Sequence, residues 1–322
     1  MECCQEPEFE VVLPGREPLI FDDRVQVGSH VPFQNKRFYD SVLWGIRYGM
    51  YTMQLYMGPQ QAYARTRISE DDILQTQQLL KHHPSNLFTH APVIYNLAGN
   101  VKEKSLAWTG NALVDDKMVN LVKYLNYEIG ILNRIGGRGT IVHPGCYIRD
   151  PKKPQAQIEE EAIVAIAKTL DLLVFEGSAK ILLENSAGEK GKVAYNLEQL
   201  ARIREKSRNK KHVAFCLDTA HLWGGGVYRL NTLDGVEKMF QDIDKYRADQ
   251  RGNVELIHLN DSEVNFDSRV DRHACLCTGY IWKDDVTPLV YLLNLAGERG
   301  IPLVMETSVR DMGVIHHLLN MK

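Results

Sequence analysis

The sequence predicts an α/β protein, a closed barrel of eight parallel strands, and three observations lead there. Eight short apolar runs rich in β-branched residues punctuate the chain, each ends in polar or small residues, and the stretches between them carry helical periodicity. Parallel strands covered on both faces read as apolar runs, and a strand–helix–strand unit needs about 30 residues. The runs start 26 to 53 residues apart, so each interval holds a helix and two loops.

In chain order the runs are VQVGSH (25 to 30), YTMQLYMG (51 to 58), NLFTHAPV (86 to 93), GTIVHPG (139 to 145), AKILLENSA (179 to 187), HVAFCLDTAH (212 to 221), NVELIHLND (253 to 261) and IPLVMETS (301 to 308). The helices between them have their own signals. SEDDILQTQQLLKHH opens with Ser69 as N-cap and acidic residues in the first turn, where the helix dipole favours negative charge. QIEEEAIVAIAKTLDLLVFE, residues 157 to 176, repeats apolar side chains at three and four spacing. Eight strands with eight crossovers close into a single TIM-type (β/α)8 barrel over residues 21–322. Residues 1–20, with Pro7, Pro14 and Pro18, read as an N-terminal tail or a cover over the barrel floor.

Composition fits a folded, soluble chain, with 44% hydrophobic and 25% charged residues among 322. No apolar run approaches the roughly 18 residues of a membrane span. The start, MECCQEPEFEVV, lacks a basic segment followed by an apolar one, so the expectation is an intracellular protein without membrane association, working as a monomer. Six thinly spread cysteines (Cys3, Cys4, Cys146, Cys216, Cys275, Cys277) suit a reducing compartment. A net charge of −3 gives no bulk attraction for nucleic acid, so a polyanion has to be held locally. The most basic run, RIREKSRNKKH (202 to 212), directly precedes the sixth strand and therefore belongs to the barrel floor. Useful positive charges, among them Arg65, Lys102, Lys104, Arg149, Arg229, Arg269, Arg272 and Lys283, lie in loops that follow strands.

Barrel chemistry sits at the C-terminal strand ends, and six consecutive strands end in metal-binding side chains. They are His90, His143, Glu184, Asp218 with His221, His258, and Glu306. Asp271 and His273, two residues apart just after the seventh strand, bring the set to nine: five His, two Asp and two Glu. Burying so many ionisable groups without counter-charge costs several kcal/mol each, so divalent cations are the economical complement. Imidazole with carboxylate suits zinc, with iron or manganese as substitutes, and nine donors with open positions for water and substrate accommodate three ions. Several ions around one mouth suit phosphoester hydrolysis.

The chain resembles the endonuclease IV family of apurinic/apyrimidinic (AP) endonucleases, AP endonuclease family 2. The motifs THAP, VHPG, LLENSAG, CLDTAHLW, HLNDS, SRVDRH and MET stand in family order from residue 86 to 307. The forms CLDTAHLW and GYIW resemble members from large DNA viruses, which would place the protein in the cytoplasm or nucleus according to the host, or in a viral factory or virion. The resemblance implies one zinc on His90, His143 and Glu184, a second on Glu184 as bridge with Asp218, His258 and Glu306, and a third on His221, Asp271 and His273. It implies that a hydroxide held between the first two ions, with Glu184 as the catalytic carboxylate, attacks the phosphodiester 5′ to an abasic site in double-stranded DNA and leaves a 3′-hydroxyl.

It also implies that mouth loops open the duplex. The side chains expected on DNA are Gln60, Gln61, Tyr63 and Arg65 after the second strand, Tyr95 and Asn96 after the third, and Arg269 and Arg272 beside the D-x-H. Two positions depart from the family pattern. Val93 replaces an aromatic, which moves the wedge to Tyr95 or weakens it, and Cys277, Thr278 and Gly279 replace Gly-Glu-Gly, which strains the loop if the first position needs positive φ. The rival readings are a divalent-metal sugar isomerase or epimerase on the same barrel and a non-catalytic, metal-stabilised DNA-binding protein.

Overall fold

A computed structural model describes residues 25–99 and 116–320. The expected tail, Cys3, Cys4, Lys102 and Lys104 lie outside the described residues. Each of the eight apolar runs supplies one strand of a closed parallel barrel. In chain order these are β1 (Val27–His30), β2 (Thr52–Leu55), β3 (Asn86–His90), β4 (Gly139–Val142), β5 (Lys180–Glu184), β6 (Val213–Asp218), β7 (Val254–His258) and, after a small hairpin, β10 (Leu303–Met305). Neighbours follow the order β1-β10-β7-β6-β5-β4-β3-β2, and β1 closes the ring by pairing with both β10 and β2.

Around the barrel run α1 (Phe38–Arg47), α2 (Glu70–His82), α3 (Asp116–Ile135), α4 (Gln155–Leu170), α5 (Leu197–Lys206), the short α6 (Thr219–Gly224), α7 (Leu233–Ala248), α8 (Thr287–Glu298) and α9 (Asp311–Asn320). Ser69 caps α2 as expected, accepting a hydrogen bond from Asp72 N at 3.2 Å. The apolar pattern that reads on to residue 176 is helical only to Leu170. Beyond it the Asp171 carboxylate accepts from Ser207 Oγ and Arg208 N, and Val174 N donates to Asn126, so this stretch serves α5 and α3 instead of prolonging α4. The basic run lies at the floor, where Arg202 and Lys206 pair with Glu160 and Arg208 with Asp171. After β7 the chain forms a two-residue antiparallel pair, β8 (Asp261–Ser262) with β9 (His273–Ala274), too short for the sequence pattern to announce.

Strand periodicity sets the site. Phe88, Ile141, Leu182, Cys216, Leu256 and Val304 belong to a separate buried cluster inside the barrel. Side chains two apart on a strand share a face, so the residues two further on, His90, His143, Glu184, Asp218, His258 and Glu306, form the next layer up on the same inner side.

Candidate metal centre

Glu184 is the hub. Its Oε2 lies 3.1 Å from His90 Nε2 and 3.3 Å from His143 Nδ1, while Oε1 lies 2.8 Å from His258 Nδ1 and 3.7 Å from His221 Nδ1. His258 Nδ1 is also 3.3 Å from Glu306 Oε2 and 3.9 Å from Asp218 Oδ2. On the hairpin side, Asp271 Oδ1 stands 3.1 Å from His221 Nε2 and 3.3 Å from His273 Nε2, and His273 Nε2 is 3.5 Å from Asp218 Oδ2. Donor atoms within 4.8 Å of one another fall into three groups: His90, His143 and Glu184; Glu184, Asp218, His258 and Glu306; and Asp218, His221 and His273. Asp271 joins the last group by the distances just given.

Three imidazoles are oriented by bonds that fix which nitrogen faces inward. His90 Nδ1 donates to Ala91 O at 2.7 Å and His221 Nδ1 to Asn185 O at 2.7 Å, leaving each Nε2 as the inward donor atom. His258 is turned the other way: its Nε2 donates to Gln54 Oε1 at 2.7 Å, which leaves Nδ1 facing the carboxylates. The carboxylates are held as well. Asn260 Nδ2 donates to Asp218 Oδ2 at 2.6 Å and Glu306 Oε2 at 3.1 Å, and Gln54 Nε2 donates to Glu306 Oε1 at 2.8 Å. Asp218 also serves as N-cap of α6, accepting from His221 N at 2.8 Å, which puts both side chains at one helix start.

The electrostatics are those of a cation-binding set. Burial opposes ionisation of Glu184, yet the His143 and His258 imidazoles outweigh it and hold the carboxyl well below its usual range. Burial pushes His143 down to about 4 and raises Asp218. Burial also opposes charge on His221 and His258, but neighbouring acidic groups raise both, Asp218 and Asp271 at His221, Cys216 and Glu306 at His258. Four carboxylates and five imidazoles, three of them with a fixed inward nitrogen, fit divalent ions of the borderline-soft kind.

Several members of the site carry no signal of metal chemistry in the sequence. Gln54 at the end of β2, Asn185 after β5 and Asn260 after β7 are fully buried polar residues that orient donors. His30, at the end of β1, packs its ring against Tyr56 at 4.8 Å and a 45° tilt, and Tyr56 packs against His90 at 5.0 Å and the same tilt. A polar residue at the end of an apolar run was the available clue for His30 and Gln54.

The side chains expected on DNA divide into two groups. Gln60, Gln61 and Arg272 are exposed, and Arg269 is exposed with its guanidinium 5.1 Å over Tyr195 and its Nε bonded to Asp267. Tyr63 is half-buried, and Asn96 is half-buried with Nδ2 donating to Cys146 O at 3.0 Å. Arg65 and Tyr95 are not at the surface. The Arg65 side chain has no exposure, and Tyr95 is 2% exposed with its hydroxyl donating to Tyr63 O at 3.0 Å. A wedge moved to Tyr95 is therefore not what the fold presents, whereas Val93 is 40% exposed at the same loop. Cys277 has φ 63°, the positive value anticipated there, and among the described residues neither it nor Cys275 belongs to a donor group.

Comparison with known proteins places this architecture. Residues 44–319 match the family model described as xylose isomerase-like TIM barrel. A probable endonuclease 4 from Aster yellows witches'-broom phytoplasma is 30% identical over 87% of this chain and 89% of the relative. Another, from Staphylococcus aureus, is 28% identical over 87% of each. Among solved structures, endonuclease IV from Thermus thermophilus superposes with a TM-score of 0.72 at 21% identity, over 91% of this chain and 98% of that one. A D-tagatose 3-epimerase-like protein superposes with a TM-score of 0.57 at 17% identity over 90% and 94%, which reflects the shared barrel. With the motifs in order and the curated relatives spanning most of its length, the chain belongs to the endonuclease IV family of AP endonucleases, nucleases built on a xylose isomerase-like TIM barrel.

Proposed function

We propose that the chain is a zinc-dependent AP endonuclease of base-excision repair that hydrolyses the phosphodiester 5′ to an abasic site in double-stranded DNA and leaves a 3′-hydroxyl. The observation that carries this reading is the placement of Glu184, one oxygen facing His90 and His143 and the other facing His258. A single carboxylate shared by two donor groups suits adjacent ions flanking one phosphate. His90, His143 and Glu184 would hold one ion, Glu184, Asp218, His258 and Glu306 a second, and His221, Asp271 and His273 a third. When bound, such ions lower the pKa of a water toward about 7 and offset charge on phosphate oxygens.

The chain's own contribution is orientation. Gln54 and Asn260 clamp His258, Asp218 and Glu306 so that their free atoms converge, and Asn185 O and Ala91 O fix the His221 and His90 rings. The exposed Gln60, Gln61 and Val93 stand at the loops after β2 and β3, where a duplex would meet the mouth. The imidazole-rich donor set separates this reading from a sugar isomerase, whose similarity here is one of fold.

The test is a duplex carrying one tetrahydrofuran abasic analogue. Nicking on the 5′ side is expected, lost on prolonged chelation and restored by zinc, with about three zinc ions per chain. Glu184→Ala is expected to lose at least about 1000-fold in kcat while duplex affinity stays nearly constant. Intact duplex in the presence of zinc, or one ion per chain, overturns the reading.

A further inference from the structure

Arg65, expected from the sequence to contact DNA, has its side chain fully buried. Its guanidinium lies beneath the loop after β2 and holds three of that loop's carbonyls: Nε donates to Tyr63 O at 3.1 Å, and Nη2 to Pro59 O at 3.2 Å and to Ala62 O. Gln60 and Gln61, both exposed, are the two residues between the gripped Pro59 and Ala62. The base of the loop is closed by Thr66 N donating to Met57 O at 2.8 Å, and its exit by Tyr127 of α3, whose hydroxyl accepts from Ile68 N at 2.8 Å and donates to Thr66 O at 3.2 Å. Gly58 leaves the space, since a Cβ there would stand 3.4 Å from Arg65 Nη1 and 3.2 Å from Ala64 O.

The other end of the arrangement is Glu128, the residue after Tyr127 on α3. Its Oε1 lies 3.6 Å from Arg65 Nε, and neither side chain has any exposure. Glu128 Oε2 accepts from Thr89 Oγ1 at 3.0 Å, and Thr89 Oγ1 in turn stands 2.8 Å from Thr140 Oγ1. Thr89 immediately precedes His90 on β3, so the chain of contacts runs from the loop to the strand that carries a donor of the centre. The Arg65 guanidinium also lies 6.0 Å from the Tyr95 ring, which stacks on Tyr63 at 5.2 Å. A buried ion pair is a poor source of stability compared with packed apolar side chains, so its presence under a loop points to geometry.

We infer that Arg65 is a positioning residue: with Glu128 it fixes the loop 57–66 in the shape that presents Gln60 and Gln61 to the substrate duplex. The inference rests on the proposed action on abasic DNA. A loop already held in its bound shape loses less conformational freedom on binding, and the gain appears in affinity and not in the chemical step.

Two variants and two readouts test it. Arg65→Met removes the charge and all donors, and Arg65→Lys keeps the charge but cannot reach three carbonyls in a fork. For Arg65→Met, amides of residues 60–63 are expected to exchange with deuterium about 10-fold faster or more, with metal content unchanged. On the tetrahydrofuran duplex its KM rises about 10-fold while kcat stays within about 3-fold, and Arg65→Lys falls between wild type and Met in both readouts. If Arg65→Met does not fold, Arg65→Lys decides. Unchanged exchange across 57–66, or equal losses in kcat and metal content, overturns the inference. If wild type fails to nick the duplex, the proposed function falls, and the exchange arm still decides whether Arg65 holds the loop.

Discussion

At residue scale, Cys277 occupies left-handed backbone that its side chain disfavours, at φ 63°. Only glycine adopts this region without penalty, which costs other residues about 1–2 kcal/mol. Substituting both Gly and Ala isolates that backbone contribution from loss of the sulfur. Cys277→Gly is expected to be more stable than Cys277→Ala by about 1 kcal/mol in urea unfolding, and equal stabilities would show that the loop relaxes. The strain was legible in the sequence because a glycine was missing from a motif. The nine donors were legible for a different reason: an imidazole or carboxylate ending an apolar run has few uses other than the barrel mouth. Arg65 and Glu128 were not, since an arginine in a polar mouth loop reads as a DNA contact and a glutamate in the stretch KYLNYEIGIL carries no pattern that marks it as buried. Their burial follows from the packing of α3 against a loop that local pattern does not encode.

At the scale of elements, α1 shows how one helix is started by another. Arg37, its N-cap, makes no side-chain cap bond. The carboxylate of Asp72 on α2 substitutes, accepting from Phe38 N and Tyr39 N at 2.9 Å each, and Asp72 is 1% exposed. Removing a buried charged acceptor from two amides should cost about 2–3 kcal/mol, against about 1 kcal/mol for the ordinary cap Ser69→Ala. Chemical denaturation of Asp72→Ala and Ser69→Ala compares them, and a smaller loss for Asp72→Ala would refute the cross-helix cap. All eight barrel strands were readable because buried parallel strands are apolar throughout. The β8–β9 pair was not, because two residues per strand leave no periodicity. The end of α4 was misplaced by six residues since Leu173 stays buried beyond the last helical turn, so apolar spacing continues while the backbone turns away.

At the scale of the whole molecule, buried acids shape the response to pH. Burial lifts Glu128 from an ordinary 4.5 to about 7 despite the opposing Arg65 charge, and lifts Asp311 from 3.8 to about 6 despite bonds from Thr307 and Leu276. Between the unfolded and folded values each folded acid holds a proton that the unfolded chain releases, so their contribution is fully present below the unfolded values and is lost as pH rises through the folded ones. Glu128→Gln should therefore gain on wild type between pH 5 and pH 8, by about 3 kcal/mol at most. Urea midpoints at the two pH values measure this, and a constant difference between variant and wild type would exclude it.

The closure of the barrel carries a consequence for biosynthesis. Gln54, on β2, bonds His258 on β7 and Glu306 just past β10, while β1 has no second neighbour until β10 arrives. A nascent chain, or one cleaved before β10, thus keeps Gln54 and Asn260 but lacks both Glu306, the donor they hold, and the seam of the ring. Such a chain leaves the donor group of Glu184, Asp218, His258 and Glu306 one carboxylate short and the barrel unclosed, so the centre is completed only when the last strand is in place.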